Sequence, residues 1–188
     1  MTSNDLSPIS LPDAVADLCD RLQAPGRLVA HLTLVHDVAF RITSELASLL
    51  PALAINSMIV EMGAVVHDIG RGIHPAELTA AGSLHEVAGQ SLLIKHGFPD
   101  EIARCARTHG RWSDEQLPLE ELLVSLADRT RKGARCDFLE MHIIDLTARE
   151  LKQSQWLIFQ IVGGPSGSAH GRRRGTTSLA GDSVLHCW

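Results

Sequence analysis

Apolar residues recur along this chain at intervals of three and four, and no stretch alternates apolar and polar positions for long enough to make a strand. That period predicts helices from residue 11 to residue 162. The first follows Ser10, with Pro12 in its first turn and Leu11, Val15, Leu18 and Leu22 as its stripe, and Pro25-Gly26 breaks it. A longer helix runs over about 27–50 with Leu28, Leu32, Val35, Ala39, Ile42, Leu46 and Leu49 on one face, and Pro51 ends it. The third begins at Asn56 or Ser57 and carries Ile59, Met62 and Val66 to His67-Asp68. Residues 69–82 carry Gly, Pro and His and read as a loop with one turn near 75–79. Ser83 followed by Glu86 has the capping-box spacing, which starts a helix that ends at Gly97. Pro99 opens the next helix, which runs to about His109. Another covers 118–131 with Leu119, Leu122, Leu123, Leu126 and Ala127. The last, 138–162, is long enough to expect a break within it.

After residue 162 the pattern stops. Residues 163–188 hold six of the fifteen glycines and an Arg172-Arg173-Arg174 run, with no apolar period. This stretch reads as a flexible low-complexity tail, either a natural extension or the product of a shifted reading frame. The expectation is therefore one all-α domain over 1–162, a compact bundle of six to seven helices, followed by the tail.

Composition narrows the possibilities. With 188 residues and 45% hydrophobic content the chain is long enough for one buried core and too apolar to be disordered throughout. No apolar run reaches the ~18 residues of a membrane span, and the first eleven residues have no signal-peptide pattern. Cys19, Cys105, Cys136 and Cys187 show no CxxC pairing, so a reducing, cytoplasmic setting is expected rather than a disulfide scaffold. A net charge of −5 with no basic cluster in the main body argues against duplex DNA as a partner. Aromatics at 4%, with no tyrosine, leave no stacking platform for single strands.

Histidine is the chemical signal. Seven of the ten histidines lie between Ala30 and Gly110. In chain order His36-Asp37, His67-Asp68, His85, His109 and Asp128 stand at helix positions or helix ends, a nitrogen and oxygen donor set suited to Fe, Mn, Zn or Ni. Neighbours on a regular helix point about 100° apart, so His67 and Asp68 reach one centre most easily where a helix stops, as Ile69-Gly70 suggests. A single histidine on an apolar helix face is ordinarily a hydrogen-bonded core residue; the ordered series carries the argument. His31, His96 and His142 read as ordinary surface or packing residues, and Asp37 as a supporting or solvent-facing group.

His67-Asp68-Ile69-Gly70-Arg71, with His36 upstream and Asp128 in SLADRTRKG downstream, resembles the HD superfamily of metal-dependent phosphohydrolases over about residues 27–138. His85 and His109 resemble the subgroup that binds two metals. The resemblance implies that His36, His67, Asp68 and Asp128 hold the first ion, that Asp68 bridges, and that His85 and His109 hold the second. The ions would be divalent, iron or manganese first, with zinc, nickel or magnesium as further candidates. Basic and polar groups near these residues are candidate substrate contacts: Arg71, Lys132, Arg111 and His74, with Arg135 further along. Lys132 and Arg135 read equally well as cations serving a helix C-terminus.

The leading functional expectation is a phosphohydrolase that cleaves a nucleotide-like or other small phosphoester with a metal-activated water, Asp68 and Arg71 being its catalytic residues. A di-iron oxygenase of the same fold, acting on a small substrate such as a phosphonate, is the alternative; a non-catalytic signalling or binding module is the third. The expected partner is a small phosphorylated molecule, without duplex DNA or membrane, and a homodimer stays open.

Overall fold

The computed structural model describes residues 8–113, 116–133 and 136–163. Over them every regular element is helical: α1 Asp13–Arg21, α2 Gly26–Leu49, α3 Ser57–Val66, α4 Leu84–Lys95, α5 Asp100–Thr108, α6 Leu119–Arg131, α7 Asp137–Leu151 and α8 Gln155–Gly163, with 3-10 turns at Ile69–Gly72 and Pro75–Leu78 between α3 and α4. Prolines 12, 25, 99 and 118 stand at the N-caps of α1, α2, α5 and α6. Each has the fixed φ that leads a chain into a helix, and none leaves an amide hydrogen unpaired. Asn56 caps α3 by accepting from the Ile59 amide at 3.4 Å.

The long final helix of the sequence reading is two helices. Lys152 takes a left-handed conformation at φ 52°, and the Gln153 amide turns back to the Ala148 carbonyl at 2.9 Å. The Ser154 hydroxyl then accepts from the Leu157 amide at 3.2 Å and starts α8. The expected tail lies outside the described residues, apart from Gly163 at the end of α8, and Arg135 lies outside them too.

Two apolar clusters build the core, and α2 runs through both. Leu28 and Leu32 pack with Val15 and Leu18 of α1, Val65 and Val66 of α3, and Ile102 and Ala106 of α5. One turn later Val35, Ala39, Ile42 and Leu46 pack with Val60 of α3, Leu122 and Leu123 of α6, and Leu139 and Ile143 of α7. Each fully buried leucine or valine contributes roughly 1.5–3 kcal/mol, which offsets the cost of the polar groups buried between the clusters. Leu49, expected to face inward, is 40% exposed in the last turn of α2. α3 is the central strut, packed against α2, α5 and α6. Its C-terminal end delivers His67 and Asp68 to the seam between the clusters. Among the described residues, no helix is long and apolar enough to cross a membrane.

Gly70 explains how the turn after α3 approaches α4. A β-carbon there would overlap the carbonyl oxygen of His85 and lie 2.8 Å from the Gly89 amide nitrogen. Backbone meets backbone at this point, and only glycine lets it. That contact brings the first turn of α4, and His85 with it, up to Asp68.

Candidate metal centre

Five helices and one turn converge their polar side chains at this seam. His31 comes from α2, His67 from the C-cap of α3, Asp68 from the turn that follows, His85 from the first turn of α4, His109 from the C-cap of α5 and Asp128 from α6. They form two groups, His31 with His67 and Asp128, and Asp68 with His85 and His109, each with its donor atoms within 4.8 Å of one another. The His67 and His109 ring centroids are 4.9 Å apart, so the groups adjoin.

Asp68 faces both. Its Oδ2 is 3.3 Å from His31 Nε2 and 3.7 Å from His67 Nε2, while its Oδ1 is 3.2 Å from His85 Nε2 and 3.5 Å from His109 Nε2. Asp128 Oδ1 completes the first group at 3.3 Å from His31 and 3.4 Å from His67.

Each of three imidazoles is turned so that Nε2 points inward. His67 Nδ1 donates to the Ala64 carbonyl at 2.7 Å, and His109 Nδ1 lies 3.2 Å from the Ala106 carbonyl. Carbonyls only accept, so a hydrogen sits on Nδ1 and Nε2 faces the seam. His85 Nδ1 donates to Glu77 Oε2 at 2.5 Å. The Glu77 carboxylate also accepts from the Leu84 and His85 amides, each at 3.1 Å. Glu77 therefore caps α4; the Ser83 side chain, expected from the capping-box spacing, makes no cap bond. A carboxylate reaching the first turn from the preceding loop satisfies two amides and orients a ring at once.

The charges are mutually adjusted. Burial raises the Asp68 carboxyl, but His67, His31, His85 and His109 outweigh it and hold Asp68 far below the usual carboxylate range. Asp128 is buried too, and His31, His67 and Lys132 likewise hold it far down. Burial opposes protonation of His31, yet Asp128 and Asp68 raise it above its ordinary 6.5. Burial is likewise outweighed at His85, where Asp68 and Glu77 raise it. Burial and then the neighbouring His67 bring His109 down to about 4.

His85 Nε2 and Asp128 Oδ1 are buried without a well-formed hydrogen bond, and beside the neighbouring imidazoles Asp68 Oδ1 has the Arg71 ion pair. Buried carboxylate and imidazole atoms that converge with incomplete hydrogen bonding are costly unless a cation completes them, and this donor set is one that divalent metals take. The residues fit a metal site.

A cavity of about 350 Å³ opens onto it, with Arg27, His31, Asp68, Arg71, Arg131 and Lys132 in its wall. Arg71 Nε forms an ion pair with Asp68 Oδ1 at 2.8 Å, and Arg71 also donates to the Glu77 carbonyl. Lys132 Nζ reaches Asp128 Oδ2 at 2.5 Å.

Several expectations change on this geometry. His36 stands outside both groups: it is buried on another side of α2, near Glu61 and the backbone of Ser10 and Ile9, and burial lowers its affinity for a proton. His31, read as an ordinary packing residue, occupies the position expected of His36. Five residues along a helix turn a side chain through about 140°, so the two cannot face one centre. Arg111 turns to Glu86 at 3.7 Å and does not line the cavity, and His74, at the N-cap of the second 3-10 turn, does not either. Asp37 pairs with Arg41 at 2.9 Å. The sequence reading also passed over Glu77, Arg27 and Arg131. Arg27 lies one turn before His31 and Arg131 three residues after Asp128, spacings that put each beside a site residue on its helix.

Comparison with curated proteins and with solved structures finds no match. The HD domain family model matches residues 28–133, which include all six converging side chains and more than half of the chain, and the chain belongs to the HD domain family.

Proposed function

We propose that this chain is a metal-dependent phosphohydrolase acting on a small phosphoester, with His31, His67 and Asp128 holding one divalent ion, His85 and His109 a second, and Asp68 both. The observation that carries this reading is the division of Asp68, with one oxygen toward each histidine group at 3.2–3.7 Å. Divalent ions bound there supply Lewis acidity and a water made nucleophilic near neutral pH, the chemistry of in-line attack on phosphorus.

The chain's own residues have definite tasks in this reaction. Glu77, Ala64 and Ala106 keep three imidazoles presenting Nε2 by accepting from Nδ1. Arg71 is anchored to Asp68 and to the Glu77 carbonyl. It presents its remaining N–H groups to a phosphoryl oxygen in the cavity and offsets charge that develops there. Lys132 adds a second positive charge at the wall while it steadies Asp128. The negative net charge of the chain does not oppose an anionic substrate, because the local cations set the field.

The test is metal analysis of anaerobically purified protein, joined to a phosphoester screen with manganese or iron supplied. About two ions per chain and phosphate release are expected. Iron with O2-dependent turnover and no phosphate release would overturn the reading in favour of an oxygenase, and no metal after reconstitution would overturn it in favour of a binding module.

A further inference from the structure

Four cations line one cavity in a chain whose net charge is −5. Two have partners beside the donor groups: Arg71 on Asp68, Lys132 on Asp128. Arg27 and Arg131 line the same cavity from different helices, and neither forms an ion pair with another described residue, unlike Arg71 and Lys132. An arginine in the last turn of α6 serves the helix dipole, which accounts for Arg131 by itself. Arg27 has no such account. It lies in the first turn of α2, where the dipole disfavours a cation and where no acidic side chain stands to relieve it. Both side chains are exposed at the cavity wall, where an anion in the cavity can pair with two guanidiniums at once.

Position along the helices separates this pair from the donor groups. Arg27 is one turn before His31, about 6 Å along the axis of α2, and Arg131 is about 4.5 Å beyond Asp128 on α6. Ala30 and Leu78 contribute a short apolar stretch of the same wall. A volume of about 350 Å³ is at the small end of ligand pockets and suits a sugar-sized molecule rather than a polymer.

We propose that Arg27 and Arg131 form a second anion subsite, so that the substrate carries two anionic groups on a short carbon linker. One is at the His/Asp groups and Arg71, the other between Arg27 and Arg131. This inference rests on the phosphohydrolase reading for the first anion. The second is a phosphate or a carboxylate, since both match a guanidinium fork.

The experiment is calorimetric titration of the metal-reconstituted full chain, at low temperature, with glucose 6-phosphate, glucose 1,6-bisphosphate and 6-phosphogluconate, with phosphate release followed in parallel. The bisphosphate is expected to bind at least about tenfold tighter than the monophosphate, a typical gain from a charge-assisted bidentate contact. The advantage should shrink to about twofold in Arg27→Gln and in Arg131→Gln. It should persist in Arg41→Gln, which removes an equal charge at the Asp37 pair. Tightening by 6-phosphogluconate alone would support the subsite and assign it to a carboxylate. Equal affinity of the wild type for all three probes, or the same loss in Arg41→Gln, would overturn the subsite. Release of phosphate from the monophosphate with no preference for a second anion overturns the subsite and leaves the hydrolase reading standing. A preference lost in the Arg27 and Arg131 variants, with no phosphate released from any probe, supports the subsite and leaves the hydrolase reading to the phosphoester screen.

Discussion

His31 and His36 share a helix and a chemistry, yet the geometry gives them different work. His31 Nε2 lies within 3.3 Å of both Asp68 and Asp128, whereas His36 is buried near the backbone of Ser10 and Ile9, within the electrostatic reach of Glu61. His31→Ala should therefore lower the metal content of the reconstituted protein and leave its fold cooperative. His36→Ala should retain metal and lose stability on the order of 1–3 kcal/mol, as expected for truncating a buried side chain. Metal stoichiometry and thermal midpoints of both variants under one reconstitution protocol decide the matter; a His36 variant that loses metal while the His31 variant keeps it would reverse the assignment. Glu77 is the residue whose role acts through another. Glu77→Gln keeps the shape but replaces a carboxylate that accepts from His85 Nδ1 with a weaker acceptor. Loss of such an orienting partner typically costs about 10–100-fold in metal affinity. Competition with a chelator should show the weaker occupancy at one ion per chain only, and an unchanged affinity for both ions would dismiss the role.

At the scale of elements, the site depends on how closely the turn after α3 meets α4. Gly70→Ala puts a methyl group onto the His85 carbonyl and the Gly89 amide, both backbone atoms that cannot swing aside. The two elements must then separate, at a cost of about 1–3 kcal/mol, and His85 moves away from Asp68. The expected result is a lower denaturant midpoint together with reduced metal binding, read by urea unfolding and metal analysis on the same sample. Gly70→Ala that binds metal normally would show that α4 is placed by its apolar contacts, Leu93 among them, rather than by this approach. The glycine was legible in the sequence as part of the His67–Arg71 run, but its reason was not. An adjacent glycine in sequence looks like a helix stop, and the facing backbone comes from α4, fifteen residues later.

At the scale of the whole molecule, the proposed metal would compete with protons for the same groups. In the metal-free protein His31 and His85 are raised above their ordinary 6.5, because Asp128, Asp68 and Glu77 outweigh burial. A group raised on folding contributes stability that is fully present below the unfolded value near 6.5 and is lost as pH rises through its folded value. Metal binding requires the same imidazoles neutral, so it strengthens in that direction and releases protons. The gain in thermal midpoint on adding manganese should accordingly be larger at pH 8.5 than at pH 6, measured at equal free metal. Asp68 and Asp128, held far below the usual range, lose their contribution only as the solution becomes strongly acidic, below about pH 4. A metal-induced gain that is larger at pH 6 than at pH 8.5 would contradict the protonation states assigned to His31 and His85.

Most of the helices were legible in the sequence because their information is local. Apolar spacing of three and four marks each buried face, and a proline with no amide hydrogen marks where four of them start. The His67-Asp68 pair, His85, His109 and Asp128 were legible too, as an ordered donor series on that pattern. What the sequence could not decide was direction around a helix. Taking 100° per residue, His31 lies about 60° to one side of Leu28 and His36 about 80° to the other, both at edges of the same apolar stripe. Either edge is compatible with a site, and the neighbours that α2 meets settle the choice. The turn after α3 and α6 bring Asp68 and Asp128 to the His31 edge, while Glu61 and the chain before α1 take the His36 edge. The same holds for Glu77, which caps α4 across a loop in place of Ser83, and for Arg27 and Arg131, which meet at one cavity from helices a hundred residues apart. Periodicity is a property of each segment alone, whereas the partner of a side chain is a property of the packed whole, and only tertiary structure supplies it.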